Sequence, residues 1–474
     1  MPRQRLTLQP RTIGVSSLRM KPFYTVASVE LGNTTTKCIL MTTNLQTAEI
    51  FQIDKEIRLT RDVRPPKKGE TTFGHTISGT ALTQQSVGEL VADVLTTALK
   101  RSRVDIERDL HFVVRSTGVT ASFASPKEVG NMVKALADGC LLARVPPRKM
   151  TASLSPDNLP PGLRSFTWLK KVYFDGAVAS SLPPASTEVV ANEMEGELVT
   201  AGIKGAAKLT EVDFRNPAMT LDFGTTLAGR VTDDSYPYAK TIASFAGLAG
   251  AIPDALARGS GLVNPNSGCV LDLAAPPLRI ESVINDEWIE RARSLIRVER
   301  VPSNVSRFGT VPVNMKAANE SNVVLIGVDV GTDGSDLKPL EQLGAEITEK
   351  GGVETLLSTI DRTQAEVVQR LLTVAESEGL VLEETSLGLT GRSVTTGNKP
   401  QLISDTLHLG DGSKWTDSHQ LLFVEDGLAM GAAVAARCMN SMGTRHNPMG
   451  GRKGDKCVMG ARMKLQRDDG DKPR

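Results

Sequence analysis

Apolar residues gather in three short runs near the start of the chain, at 25–32, 37–44 and about 49–60, each the length of one strand. After a Pro- and Gly-rich loop at 64–74 the period changes. Val87, Leu90, Val91, Val94, Leu95, Ala98 and Leu99 fall on one helical face. A strand at 110–114 follows, then a helix opened by Ser125-Pro126 and running to about 142, since proline suits a first helical turn. Pro-rich residues 146–163 predict a surface insertion, 171–179 another strand and 188–203 a helix. A hairpin at 219–232 comes next. The pattern then loosens, because 243–262 is rich in Gly and Ala and 263–320 is crowded with turn residues. Regular alternation returns with a strand at 323–330, helices through about 338–378, a strand at 386–390, a helix near 400–408, a strand at 421–424 and a helix at 426–441. Three strands followed by helix–strand–helix–strand–helix thus occurs once before residue 205 and again, longer, after it. That order predicts an α/β protein of two related units rather than one doubly wound sheet.

The length of 474 residues agrees, since one hydrophobic core rarely supports so long a chain. The predicted division is a flexible basic extension at 1–22, a first domain at 23–205, a second with insertions at 206–431, and the end of the closing helix with a tail at 432–474. The 55 basic and 54 acidic residues nearly cancel, so no global field recruits nucleic acid or an anionic membrane. Aromatic residues make up only 4%, which leaves little for base-stacking platforms. Cys38, Cys140, Cys269, Cys438 and Cys457 are dispersed, without zinc or iron–sulfur ligand spacing, as expected of reduced thiols in a cytoplasm. Residues 1–22 lack the apolar core of a signal peptide, and no stretch reaches the length of a membrane span. The expected setting is cytoplasmic.

Two segments carry candidate chemistry. Each reads as a strand running into an acid–Gly–Thr turn: Val29-Glu30-Leu31-Gly32-Asn33-Thr34-Thr35-Thr36-Lys37 and Leu221-Asp222-Phe223-Gly224-Thr225-Thr226. Glycine lets the backbone bend close to a ligand, so that amides and Thr hydroxyls point at phosphate oxygens. A carboxylate just before the turn can hold a magnesium ion, directly or through water, against those phosphates. One copy would be an ordinary hairpin. Two at domain-scale separation predict facing hairpins with a nucleotide between them. Asp329–Asp336 invites a calcium-loop reading, but Gly331 occupies the third ligand position and no Glu stands at the twelfth, which favours a strand-end turn.

Four elements in this order resemble the actin, hexokinase and heat-shock chaperone superfamily. Glu30–Lys37 resembles its first phosphate loop, with Glu30 in place of the usual Asp, and Asp222–Thr226 its second. Asn192–Gly202 resembles the first connecting helix of the chaperone ATPases, and Glu425–Ala433 the second. Small residues at 196, 201, 429, 431 and 432 would let these helices cross closely. Leu389-Thr390-Gly391-Arg392-Ser393 occupies the place of the adenosine loop, with Arg392 replacing its second Gly. The runs at 27–37, 61–69, 191–204 and 222–230 are similar to the methanogenesis marker 14 proteins of methanogenic archaea. That family looks related to ATPases that reactivate or reductively activate corrinoid enzymes.

The resemblance implies two RNase H-like, actin-like ATPase domains with the nucleotide in the cleft between them. It implies ATP and Mg2+ as cofactors, with Glu30 and Asp222 as catalytic and metal-orienting groups. Gly32, Asn33, Thr34, Thr35, Thr36 and Lys37 would bind phosphate from one side and Gly224, Thr225 and Thr226 from the other, with Gly391 and Arg392 at the adenosine. It implies a protein client, such as a corrinoid- or nickel-cofactor enzyme of methane metabolism. Two other readings stay open: a small-molecule kinase, with Asp175 as a candidate base, and a nucleotide-responsive scaffold with little turnover, for which the longer Glu30 speaks.

Overall fold

The computed structural model describes residues 7–20, 22–117, 126–150, 153–154, 174–175, 177–179, 191, 193–208, 210–234, 239–273 and 286–442. The three early apolar runs form the antiparallel strands Phe23–Leu31, Thr35–Asn44 and Ile50–Leu59. Phe112–Thr117 lies parallel to the first of them, and Ala177–Ala179 lies parallel to Phe112–Thr117. The helix Gln84–Ser102 starts where Thr83 accepts the Ser86 amide while Ser86 accepts that of Thr83. Its apolar face and that of Pro126–Leu142 cover one side of this sheet, burying Val87, Val91, Leu95, Met132 and Leu136 against Val29, Leu31 and Leu40.

A second sheet repeats the plan. Ala218–Phe223, Leu227–Thr232 and Thr241–Gly247 form an antiparallel meander. Ser386–Thr390 lies parallel to the first of these, and Leu421–Val424 lies parallel to Ser386–Thr390. Numbering only the five strands named in each unit in chain order, both sheets run 5-4-1-2-3. The second is extended beyond its meander by Val324–Val330 and Ile296–Arg300. Its outer face is covered by Ala251–Gly259, Leu337–Ser377 and Lys399–Thr406.

Two helices fill the space between the sheets. Glu193–Ala207 and Gly427–Met442 bury Leu198, Val199, Ile203, Leu428, Ala432 and Ala433 against Val26, Ile39 and Met41 on one side and Ala218, Leu422 and Val424 on the other. They cross at glycines. A Cβ on Gly202 would fall 1.9 Å from the Gly427 carbonyl oxygen, and one on Gly431 1.8 Å from that of Leu198. Close crossing was expected from small residues in both helices, and Gly431 serves it. Gly196 instead packs against Gly229 of the second sheet.

The expected flexible extension at 1–22 is corrected over its described part. Thr7–Leu8 pairs parallel with Phe423–Val424 in the second sheet, and Arg11–Thr12 with Phe51–Gln52 in the first. Leu18 is buried in the first unit's core. The segment is a strap joining both sheets, held because each free sheet edge offers unpaired backbone groups. Cys38, Cys140 and Cys269 are buried and free; Cys438 and Cys457 fall outside the described side chains, as does most of the 146–163 insertion. Among the described residues, no helix is long and apolar enough to cross a membrane.

Candidate functional site

The two acid–Gly–Thr turns meet tip to tip. Thr34 Oγ1 lies 2.8 Å from Thr225 Oγ1 across the boundary between the units. Thr60 props the first tip, its amide donating to the Thr34 carbonyl and its hydroxyl to that of Gly32. The second tip is held by amides at the start of Ala251–Gly259, with the Gly250 N–H on the Gly224 carbonyl at 2.8 Å. A cleft of about 780 Å³ opens in front of both. Glu30, Gly32, Asn33, Thr34, Thr35 and Lys37 line it from the first unit, and Asp222, Gly224, Thr225, Thr226, Gly391 and Arg392 from the second. Gly391 has φ +92°, and a Cβ there would fall 2.5 Å from Asp222 Oδ1. Only glycine lets this loop pass so close to the acid.

One of the expected contacts is corrected. Thr36 does not reach the cleft: it is fully buried, with its hydroxyl 2.9 Å from that of Thr60. Strand alternation is the reason, because Thr35 and Lys37 face the cleft and Thr36 the opposite side. Arg392 lines the cleft beside Gly391. Its guanidinium sits at the hairpin tips, with Nη2 2.6 Å from Asp254 Oδ2 and 3.1 Å from Thr34 Oγ1. Asn33 uses its side-chain oxygen on the Ile77 amide. Asp329 closes a strand-end turn, accepting the Asp333 and Gly334 amides and pairing with Arg297. Asp175 lies in the strand Phe174–Asp175, paired with Ser153–Leu154, and its side chain falls outside those described.

The electrostatics are set by crowding of acids. Lys37 Nζ is 2.9 Å from Glu30 Oε2, its partner directly across the first hairpin. Burial works to lower the lysine's pKa, but Glu30, Asp426 and Asp222 together hold it above its ordinary value. Asp222 is 8% exposed; burial, then the charges of Glu30 and Asp426, push it up to about 7 against the pull of Lys37. Glu195, near the start of the first connecting helix, is equally buried and its Oε2 has no hydrogen-bond partner. Burial, Asp222 and Glu30 raise its pKa well above the carboxylate range.

Glu195 was not singled out from the sequence, although it lies inside the 192–202 run. Lys55, held at 2.6 Å by Asp426 and 3.2 Å by Glu425, also lines the cleft, as do Thr395 to Asn398. The described wall carries five carboxyl groups and three cations; Glu30, Glu425 and Asp426 are paired with lysines, while Asp222 and Glu195 are the two whose proton affinity is raised. A divalent cation arriving with a polyphosphate would offer those two acids a counter-charge. Among the described residues no three acidic, imidazole or thiol side chains converge as a metal cage. Magnesium usually takes one or two carboxylates, with water and phosphate completing its shell, so Asp222 and Glu30 fit that use.

The chain belongs to the archaeal family described as "Uncharacterized protein conserved in archaea (DUF2114)", whose model matches residues 23–466. It is 50% identical over 463 residues to "Uncharacterized protein MJ1451" of Methanocaldococcus jannaschii, covering 97% of this chain and 95% of that protein. It is likewise 50% identical over 471 residues to an "Uncharacterized protein" of Methanothermobacter thermautotrophicus, covering 98% and 87%. Among solved structures it is similar to a "Reductive activator for corrinoid,iron-sulfur protein", with TM-score 0.34 and 11% identity, over 88% of this chain and 60% of that one. It is also similar to an Aquifex aeolicus PPX-GPPA enzyme, with TM-score 0.27 and 11% identity, over 51% and 57%. Likenesses this distant carry no weight for fold or function.

Proposed function

We propose that the protein is an actin-like ATPase: two RNase H-like domains, at 23–205 and 206–431, that bind magnesium ATP in the cleft between them and act on a protein client in the cytoplasm. The observation that carries this reading is the tip-to-tip meeting of two acid–Gly–Thr hairpins at the floor of an acid-rich cleft. The Thr34, Thr35, Thr225 and Thr226 hydroxyls and the glycine turns receive the terminal phosphates, and Lys37 adds a point charge. Ribose and base extend toward Thr395–Asn398. A magnesium ion held by Asp222 and Glu30 supplies charge neutralisation at the phosphates.

Glu195 is the group best placed to accept a proton. It lines the cleft, its buried Oε2 has no hydrogen-bond partner, and burial with Asp222 and Glu30 raises its proton affinity above that of an ordinary carboxylate. Water attacks the terminal phosphorus, its bond to the bridging oxygen breaks, the water's proton passes to Glu195, and ADP carries the leaving oxygen. Hydrolysis lets the halves shift relative to one another, with the Gly202–Gly427–Gly431 crossing as hinge. A client gripping one state feels the change as altered affinity. The methanogen source of both 50%-identical relatives supports a corrinoid- or nickel-cofactor enzyme of methane metabolism as that client.

The buried, unpartnered Glu195 equally supports a second reading, in which it deprotonates a metabolite hydroxyl and the protein is a small-molecule kinase. Capture experiments in methanogen extract, run with ATP and with ADP, separate the two. The ATPase reading expects a discrete partner whose retention changes with the nucleotide. No such partner, together with strong phosphorylation of a small metabolite, would replace it with the kinase.

A further inference from the structure

Each of the three cations on the described cleft wall is already held by a carboxylate: Lys37 by Glu30, Lys55 by Asp426, Arg392 by Asp254. Only the last pair stands where the hairpin tips touch. Arg392 Nη1 and Nη2 lie 3.2 and 2.6 Å from the two Asp254 oxygens, while Nη2 also reaches Thr34 Oγ1 at 3.1 Å. Thr34 Oγ1 in turn lies 3.1 Å from Asp254 Oδ2 and 2.8 Å from Thr225 Oγ1. Four residues from four separate elements therefore share one network. Asp254 is 4% exposed and is further fixed by the Val270 amide.

We propose that Arg392, oriented by Asp254, distinguishes a nucleoside triphosphate from a diphosphate; this rests on the ATP reading above. At 2.8 Å the two Thr hydroxyls leave no room for an atom between them, so a terminal phosphoryl group seated between the hairpins must part the tips. A diphosphate, shorter by that group, leaves them in contact as they stand here. Once the tips part, Thr34 gives up its bond to Thr225, and the guanidinium is the cation already aimed at the vacated position. Its planar fork has five N–H donors, enough to keep one edge on Asp254 and turn another to phosphate oxygens. When the phosphoryl group leaves, the Thr34–Thr225 contact reforms. The state of the nucleotide is thereby converted into the presence or absence of one hydrogen bond between the two halves.

The test is equilibrium binding of a non-hydrolysable ATP analogue and of ADP, each with Mg2+, to the full chain and to R392Q, R392K and D254N. The expected result for R392Q is a fall of roughly 10- to 100-fold in triphosphate affinity, the scale of a lost charged hydrogen bond, with a much smaller change for ADP. R392K keeps the charge but cannot hold Asp254 and phosphate together, so it should lose part of the same preference. D254N removes the carboxylate that aims the guanidinium and should reduce the same preference, by less than R392Q. An unchanged triphosphate-to-diphosphate ratio in both Arg392 variants, in a chain that binds both nucleotides, overturns this inference and leaves the ATPase reading standing. Binding of neither nucleotide by the unaltered protein overturns both.

Discussion

In the first hairpin Lys37 stands directly across the ladder from Glu30 and closes on it at 2.9 Å; in the second, the residue across from Asp222 is Ala228. Two turns of similar sequence therefore bring different charge states to one cleft. Glu30 carries its own counter-ion. Asp222 has none on its hairpin, and burial with its acidic neighbours raises it to about 7. On the proposed reading the second hairpin takes an external cation, while the first already holds a fixed one. A buried acid without a partner costs stability, and retaining it is the kind of local strain that functional sites hold.

The sharpest break of this contrast is Asp222→Asn. Magnesium-dependent ATP binding should fall by about 100-fold or more and turnover should vanish, as for loss of a metal-orienting group. In titration calorimetry, Glu30→Gln should cost clearly less, because Lys37 remains. The same Asp222→Asn protein should be more stable than the parent in metal-free buffer at pH 8, by roughly 1–3 kcal/mol in denaturant unfolding, since a buried unmet charge is removed. An unchanged binding isotherm would dissolve the distinction between the hairpins.

Removing the fixed cation should act less strongly and in a different way. Lys37→Met should weaken nucleotide binding by ~10-fold, about the worth of one charged contact. Lys37 also draws the pKa of both Asp222 and Glu195 downward, so its loss should move the acid limb of the rate profile to higher pH. A profile that stays in place would show that the two acids do not feel it.

Asp222, faced by Glu30, Lys37, Glu195 and Asp426, stays protonated when folded up to about pH 7, whereas in the unfolded chain it ionises near 4. The folded state keeps that proton across the window, so the metal-free stability contributed by Asp222, read against Asp222→Asn, should fall as pH rises from about 4 to 7. Magnesium affinity should climb over the upper part of the same range, because the ion competes with the proton. Thermal unfolding with and without Mg2+ at pH 5.5 and 8 reads both trends.

The smallest effect separates neighbouring threonines. Thr35→Val should lower ATP affinity several-fold, the loss of about one hydrogen bond. Thr36→Val should leave affinity alone and cost about 1 kcal/mol of stability through its bond to Thr60.

That last pair also marks how much could be read in the sequence. Alternation along Thr35–Asn44 would have put Thr36 on the face away from Thr35 and Lys37, so the signal was there. Ser386–Thr390 and Leu421–Val424 are legible to the residue because short apolar runs end in polar or glycine turns. Thr241–Gly247 is not, since it is buried on both faces and its Gly and Ala content hides any alternation. The strap strands Thr7–Leu8 and Arg11–Thr12 are two residues each, too short for a period, and the first finds its partner more than 400 residues away. The facing hairpins were visible as a repeated motif. The pairings that tune them were not: Arg392 meets Asp254 across 138 positions and Lys55 meets Asp426 across 371, with nothing local to announce either.

The most direct test is a crystal structure with a non-hydrolysable ATP analogue and Mn2+ in place of Mg2+, located by its anomalous signal. The account expects the terminal phosphates between Thr34–Thr35 and Thr225–Thr226, with the metal beside Asp222 and Glu30. Nucleotide density outside this cleft, or a metal remote from Asp222, would contradict it.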